Sequence, residues 1–121
     1  MRTADSYRKV FPVTWEQLHR DAKALSWRLL EKGPWTGIIA ITRGGLVPAA
    51  IIAREVGVHL IDTVCITSYK WQDQSSRLEV LKGVQGDGEG WLMVDDLVDT
   101  GRTAKAVREM LPKAHFATVY A

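Results

Sequence analysis

Between residues 93 and 103 an apolar run meets two adjacent acids, a third acid follows, and a Thr-Gly-x-Thr sequence opens a helical stretch. The residues are Met93-Val94-Asp95-Asp96-Leu97-Val98-Asp99-Thr100-Gly101-Arg102-Thr103. The apolar start reads as a buried strand. In open α/β sheets, ligands sit beyond the carboxyl ends of the strands, which is where Asp95 and Asp96 fall. Neighbouring carboxylates repel, and burying them is costly unless hydroxyls, a cation or ordered water meet them. Thr100, Gly101 and Thr103 add hydroxyls and backbone N–H groups at a helix N-terminus, a natural place for an anion. Carboxylates suited to a sugar therefore stand beside a nest suited to a phosphate. A capped helix after an acidic loop also uses Asp and Thr, but it does not require three acids at this spacing.

A second strand-to-helix junction precedes it. Gly37-Ile38-Ile39-Ala40-Ile41 reads as a strand buried on both faces, as in parallel sheets, and Thr42-Arg43-Gly44-Gly45 forms a tight loop after it. Arg43 brings charge to a place where backbone N–H groups can face an anion. Leu46 to Val56 follows as a helix with Pro48 in its first turn, closed by Gly57.

The remaining chain alternates in the same way. Residues 1–13 form a mixed-charge lead-in. Thr14 and Gln17 make a capping box, Leu18, Ala22, Leu25 and Leu29 share one helical face, and Gly33-Pro34 is expected to end that helix. His59 to Ser68 reads as a strand. Residues 70–77 are polar and without period, and read as a mobile loop. Leu78 to Leu81 reads as a short strand, Gly86-Asp87-Gly88 as a turn, and Trp91 to Val94 as a buried strand. A helix is predicted over Arg102 to Leu111, stopped by Pro112, and a last strand over His115 to Ala121. This alternation predicts an α/β fold with a mostly parallel central sheet flanked by helices.

Composition narrows the function classes. The chain has 121 residues, which predicts one domain, and a net charge of +2, too mild to indicate nucleic acid. Its one cysteine, Cys65, cannot form an internal disulfide or a cysteine-cluster metal site, and is expected to be a small buried hydrophobe. No apolar run is long enough to span a bilayer, and charges interrupt the N-terminus, so neither a membrane span nor a signal peptide is expected. His19, His59 and His115 have no ligand spacing. The five Trp residues are scattered, and most are expected to serve packing.

The acidic segment resembles the phosphoribosyl-diphosphate (PRPP) signature of the type I phosphoribosyltransferases. The wider chain is similar to the family's bacterial xanthine-guanine members from residue 13 onward, through Val13-Thr14-Trp15, Thr42-Arg43-Gly44-Gly45-Leu46-Val47-Pro48, Asp62-Thr63-Val64-Cys65-Ile66, Val80-Leu81-Lys82 and Pro112-Lys113-Ala114-His115-Phe116. The resemblance implies the family fold, including a flexible lid loop, as a single domain over residues 1–121. It also implies purine salvage: transfer of ribose 5-phosphate from PRPP to N9 of guanine or xanthine, with hypoxanthine poorer, releasing pyrophosphate.

Residue roles follow from the same resemblance. Asp96 is the Mg²⁺-side acid, and Asp95 holds ribose hydroxyls. Asp99 faces the base and is the candidate general acid/base. The PRPP-binding segment runs through Leu97, Val98, Asp99, Thr100, Gly101, Arg102 and Thr103, the last four cradling the 5-phosphate. Arg43 and Gly44 hold pyrophosphate. In the family the peptide between the first two residues of this loop is often cis, and a cis peptide, or one that switches on ligand binding, is expected at 43–44. The lid corresponds to 70–77, with Arg77 preferred over Lys70 for its phosphate contact.

A cytoplasmic homo-oligomer, a tetramer in the family, is implied, with a peripheral place on the inner face of the bacterial cell membrane as a further implication. In the family a further stretch follows the last strand and begins with a lysine that reads the purine 6-oxo group. This chain stops at Ala121, so none of those base-reading residues is carried over. The expectation is a chain that keeps PRPP recognition and loses most purine selectivity. Two alternatives stay open: a non-catalytic PRPP-sensing or RNA-binding regulator on the same fold, and a phosphoribosyltransferase for another base such as adenine.

Overall fold

The computed structural model describes residues 13–70, 76–98 and 101–120. Helix α1 spans Trp15–Leu30, strand β1 Gly37–Thr42, helix α2 Leu46–Val56, strand β2 Ile61–Lys70, strand β3 Ser76–Lys82, strand β4 Trp91–Leu97, helix α3 Arg102–Met110 and strand β5 His115–Tyr120. The strands form one sheet in the order β3-β2-β1-β4-β5. β1 pairs in parallel with both β2 and β4, and β4 in parallel with β5; only the edge strand β3 runs antiparallel, against β2.

Side chains alternate across each strand, and the two faces of the sheet build two cores. Ile38, Ala40, Leu92, Val94 and Ala117 pack with Leu29 of α1 and Ala49, Ile52 and Ala53 of α2. Ile39, Ile41, Val64 and Met93 pack on the other side with Val107 of α3 and with Leu111. The result is three layers, with α1 and α2 on one face and α3 on the other. The first five residues of β1 are all buried, as a central strand covered on both faces requires.

The helix ends follow local chemistry, with one correction. The Thr14 hydroxyl accepts the Gln17 amide at 3.1 Å, which caps α1 as expected. Gly33-Pro34 does not end this helix. α1 stops at Leu30, with Glu31 at the C-cap in a right-handed conformation. The Leu29 carbonyl accepts the Lys32 amide at 3.1 Å and the Trp35 indole N–H at 3.0 Å, so the last turn is closed before Gly33 is reached and a side chain further along adds a second donor. α2 has the predicted bounds and ends at Gly57, whose φ is 75°.

Three other expectations shift. β2 starts at Ile61 and reaches Lys70, and β3 starts at Ser76, so residues 70, 76 and 77 of the predicted loop belong to strands, and 71–75 lie outside the described residues. The polar side chains at the ends of that stretch hid a strand ladder, because backbone pairing needs no apolar side chain. Cys65 is half-buried rather than buried. Trp15 and Trp27 are 74% and 62% exposed, so neither packs in the core, while Trp35 and Trp91 join the two cores. The lead-in over residues 1–12, and Trp71, lie outside the described residues.

Candidate active site

β1 and β4 are parallel neighbours, so the loops that leave their carboxyl ends lie side by side. The register Ala40↔Val94 brings Thr42 and Asp96 to the same edge of the sheet. Sheet order also reverses here, since β2 lies to one side of β1 and β4 to the other. Such a switch point leaves a crevice between the diverging connections.

The first loop is built on close backbone approach. A β-carbon on Gly45 would fall 2.8 Å from the Ile41 carbonyl oxygen, and nearer still to that of Val94. Only glycine lets the loop lie directly on β4. Gly45 is buried, its N–H donates to the Ile41 carbonyl at 2.8 Å, and it stands at the N-cap of α2 with no side-chain cap bond. A β-carbon on Gly44 would fall 2.8 Å from Asp96 Cγ. Arg43 and Gly44 are exposed at the rim. A cis peptide joins Thr42 to Arg43, the first two residues of the loop; it is not at 43–44, where it was expected.

The second loop begins with the acidic pair. Asp95 and Asp96 are half-buried at the end of β4. The Asp96 amide donates to Asp95 Oδ1 at 2.8 Å. Burial foremost, and the Asp96 carboxyl beside it, push the Asp95 carboxyl from 3.8 up to about 7. Taking a charge out of water disfavours the ionised form, and a like charge adds to that cost. The pair is thus primed for groups that compensate it, such as hydroxyls or a cation.

Leu97 closes β4 opposite Tyr120 of β5, and the Val98 amide donates to the Tyr120 carbonyl at 3.2 Å. Asp99 and Thr100 lie outside the described residues. Gly101 has φ 80° and forms the N-cap of α3, again with no side-chain cap bond. Arg102 is exposed and Thr103 half-buried in the first turn of α3. Both helices that face this edge therefore start at glycine, an N-cap residue with no side chain to bond the first-turn amides.

Arg77 stands apart from these groups. It sits on β3, beyond β2 from β1, and pairs with Tyr69. The β2–β3 arm continues past the last β1–β2 pair, Thr42↔Cys65, so Arg77 projects on the site's side of the sheet. The structure brings together Arg43, Gly44, Asp95 and Asp96, with Leu97 and Val98 behind them.

Sequence reasoning passed over Gly45. Its signal was present as the second of two consecutive glycines, but only the register of β1 against β4 shows which one touches a backbone. It also passed over Asp21 and Tyr120. Tyr120 Oη donates to Asp21 Oδ2 at 2.6 Å, a pairing between helix and strand that no local pattern announces.

A doubly wound, mostly parallel sheet with an acidic pair and a glycine-lined loop at its switch point defines the class of α/β protein that takes its ligand beyond the carboxyl ends of the strands. The chain matches the phosphoribosyl transferase domain family over residues 14–120, and it belongs to that family. It is 77% identical over 121 residues to a xanthine-guanine phosphoribosyltransferase of Nitratidesulfovibrio vulgaris, covering 100% of this chain and 74% of that protein. It is 64% identical over 118 residues to another from Desulfotalea psychrophila, covering 98% and 74%. Among solved structures, a purine phosphoribosyltransferase from Pyrococcus horikoshii superposes with a TM-score of 0.77 at 31% identity, covering 88% of this chain and 73% of that one. Among the described residues, no helix is long and apolar enough to cross a membrane.

Proposed function

We propose that this protein acts in purine salvage, transferring ribose 5-phosphate from PRPP to N9 of guanine or xanthine, with hypoxanthine used less well. The observation that carries this reading is the apposition of Gly44 and the Asp95–Asp96 pair at one switch point, together with relatives named for that activity. In the reaction the bond from ribose C1 to pyrophosphate breaks, and the bond from C1 to N9 forms. The proton on the base leaves, and the pyrophosphate carries away the negative charge.

Each residue has a task in that exchange. The α3 N-terminus, with Thr100, Gly101, Arg102 and Thr103, holds the 5-phosphate through backbone N–H groups and hydroxyls. Arg43 and the Gly44 backbone hold the pyrophosphate, where negative charge grows as the bond breaks. Asp95 accepts hydrogen bonds from the ribose hydroxyls, which compensates a carboxyl that burial alone disfavours as an ion. Asp99 faces the base and handles its proton, and Arg77 on the projecting arm contacts the phosphates. Shielding of the charged ribose from water by the β2–β3 arm belongs to the same reading.

The donor set suits Mg²⁺. Among the described residues no cluster of three or more His, Cys, Asp or Glu side chains could cage a metal. Two adjacent carboxylates, Asp95 and Asp96, remain at the site, and Mg²⁺ binds through one or two carboxylates plus substrate phosphates rather than through a protein cage. Asp96 is the metal-side acid in this reading. When bound, the ion would supply charge neutralisation for the leaving pyrophosphate.

Incubation with PRPP, Mg²⁺ and each of guanine, xanthine, hypoxanthine and adenine tests the proposal. GMP and XMP with equimolar pyrophosphate are expected. AMP alone would point to an adenine enzyme, and no nucleotide from any base, with PRPP still bound, to a PRPP-sensing regulator. Cytoplasmic residence and assembly into the family's homotetramer belong to the same reading and rest on the resemblance. Light scattering checks the assembly, and fractionation of the cell checks the residence.

A further inference from the structure

One residue at the end of β5 is tied to three others. The Tyr120 hydroxyl donates to Asp21 Oδ2 on α1 at 2.6 Å. The Tyr120 carbonyl accepts the Val98 amide at 3.2 Å and the Thr118 hydroxyl at 2.7 Å. Both lone pairs of that carbonyl are thereby used, and its position is set from two directions.

The geometry of the hydroxyl bond favours a firm anchor. Burial first, then the Asp21 partner, push the Tyr120 phenol up to about 12, so it stays a neutral donor at neutral pH. A short bond from a hydroxyl to a carboxylate is stronger than one between neutral groups. A phenyl ring would fill the same volume, so packing alone does not call for the hydroxyl. Val98 is the first residue beyond β4, and Gly101, three positions on, is the N-cap of α3. α1 itself is held on the sheet by Leu29, which packs with Ile38, Ala40 and Leu92.

We infer that Asp21 and Tyr120 are positioning residues for the phosphate loop: the bond between them fixes the Tyr120 carbonyl against α1, and that carbonyl fixes Val98, from which residues 99–103 depart. Its purpose rests on the proposed function, whereas the tie itself does not. Neither side chain touches substrate in this account. The pair transmits the placement of a helix on one face of the sheet to a loop at its carboxyl edge.

Tyr120→Phe tests the inference, because it removes one oxygen and keeps the ring. Amide hydrogen exchange at Val98 should speed up about ten-fold, and PRPP·Mg²⁺ affinity by calorimetry should weaken about ten-fold, in keeping with loss of a bond to a charged group. Exchange at Ile39 and Ile41 in β1 should stay as in the unsubstituted protein. Asp21→Leu should reproduce the effect, and Asp21→Asn, which keeps an acceptor oxygen, should fall between it and the unsubstituted protein. Unchanged Val98 exchange, or acceleration at Val98 and β1 alike, would overturn the inference, since the hydroxyl would then be idle or would only support global stability. If the unsubstituted protein fails to bind PRPP, the functional reading falls, and the Val98 exchange alone decides the tie.

Discussion

Gly44 lies flat against the carboxylate of Asp96. A β-carbon at position 44 would stand 2.8 Å from Asp96 Cγ, a separation that real side chains do not adopt. The two loops of the site thus approach so closely that the carboxylate occupies the space a side chain at position 44 would take.

The neighbouring glycines should fail differently when substituted. Gly44→Ala meets the mobile end of a side chain, so Asp96 can turn aside. The fold should survive with little change in melting temperature, while affinity for PRPP·Mg²⁺ falls by about 1.4–3 kcal/mol, roughly ten- to a hundred-fold, as a charged partner is displaced. Gly45→Ala meets the Ile41 and Val94 carbonyls, which cannot move without parting β1 from β4. Overpacking of that kind costs about 1–3 kcal/mol or more, visible as a lower urea midpoint. Calorimetry and urea unfolding of both variants check the contrast, and equal losses in stability would contradict it.

Asp99→Asn should lower turnover far more than it weakens PRPP binding. As general acid/base it would contribute a factor of about 10²–10⁴ in rate. Steady-state rates with guanine, set beside PRPP titration of the same variant, give the comparison. Parallel losses in the two would remove Asp99 from that role.

His115 makes stability depend on pH. Burial, with the charges of Lys32 and Arg108 behind it, holds the His115 imidazole below its usual 6.5. Its ring lies 5.5 Å from that of Trp35. The unfolded chain then binds the proton more readily than the folded one, so this group's contribution is present above the unfolded value and lost as pH falls through the folded one. Between about pH 7.5 and about pH 5.5 the urea midpoint should drop more for the natural protein than for His115→Gln. Equal drops in the two proteins would assign the dependence to other groups.

Thr14→Ala should cost about 1 kcal/mol, since the hydroxyl satisfies the Gln17 amide at the open end of α1. Thermal melting should show a fall of a few degrees. Thr14→Ser, which keeps the hydroxyl, should restore most of it.

What could be read from the sequence depended on whether the signal was local. The bounds of α2 follow from Pro48 in the first turn and Gly57 after the last, both features of backbone chemistry. The acidic segment announced a site because carboxylates after an apolar strand need partners. The end of α1 was placed too late because the Leu29 carbonyl already accepts the Lys32 amide, one residue before Gly33, a closure by backbone alone that no residue type announces. The arm formed by Lys70 and Ser76 was missed because its stability comes from the ladder and not from an apolar pattern. The roles of Gly45 and Tyr120 depend on which strands are neighbours, and sequence order does not disclose that β1 lies beside β4.

That adjacency has a bearing on how the molecule comes into being. Gly37 pairs with Trp91 across a long stretch of intervening chain, so closing that loop is among the entropically costly steps in folding. Neither loop can grip a ligand until the closure is made. During synthesis the protein would therefore be inert for as long as β4 remains inside the ribosome, however well α1, β1 and α2 have formed. Competence would arrive abruptly, when the second half of the sheet docks beside the first.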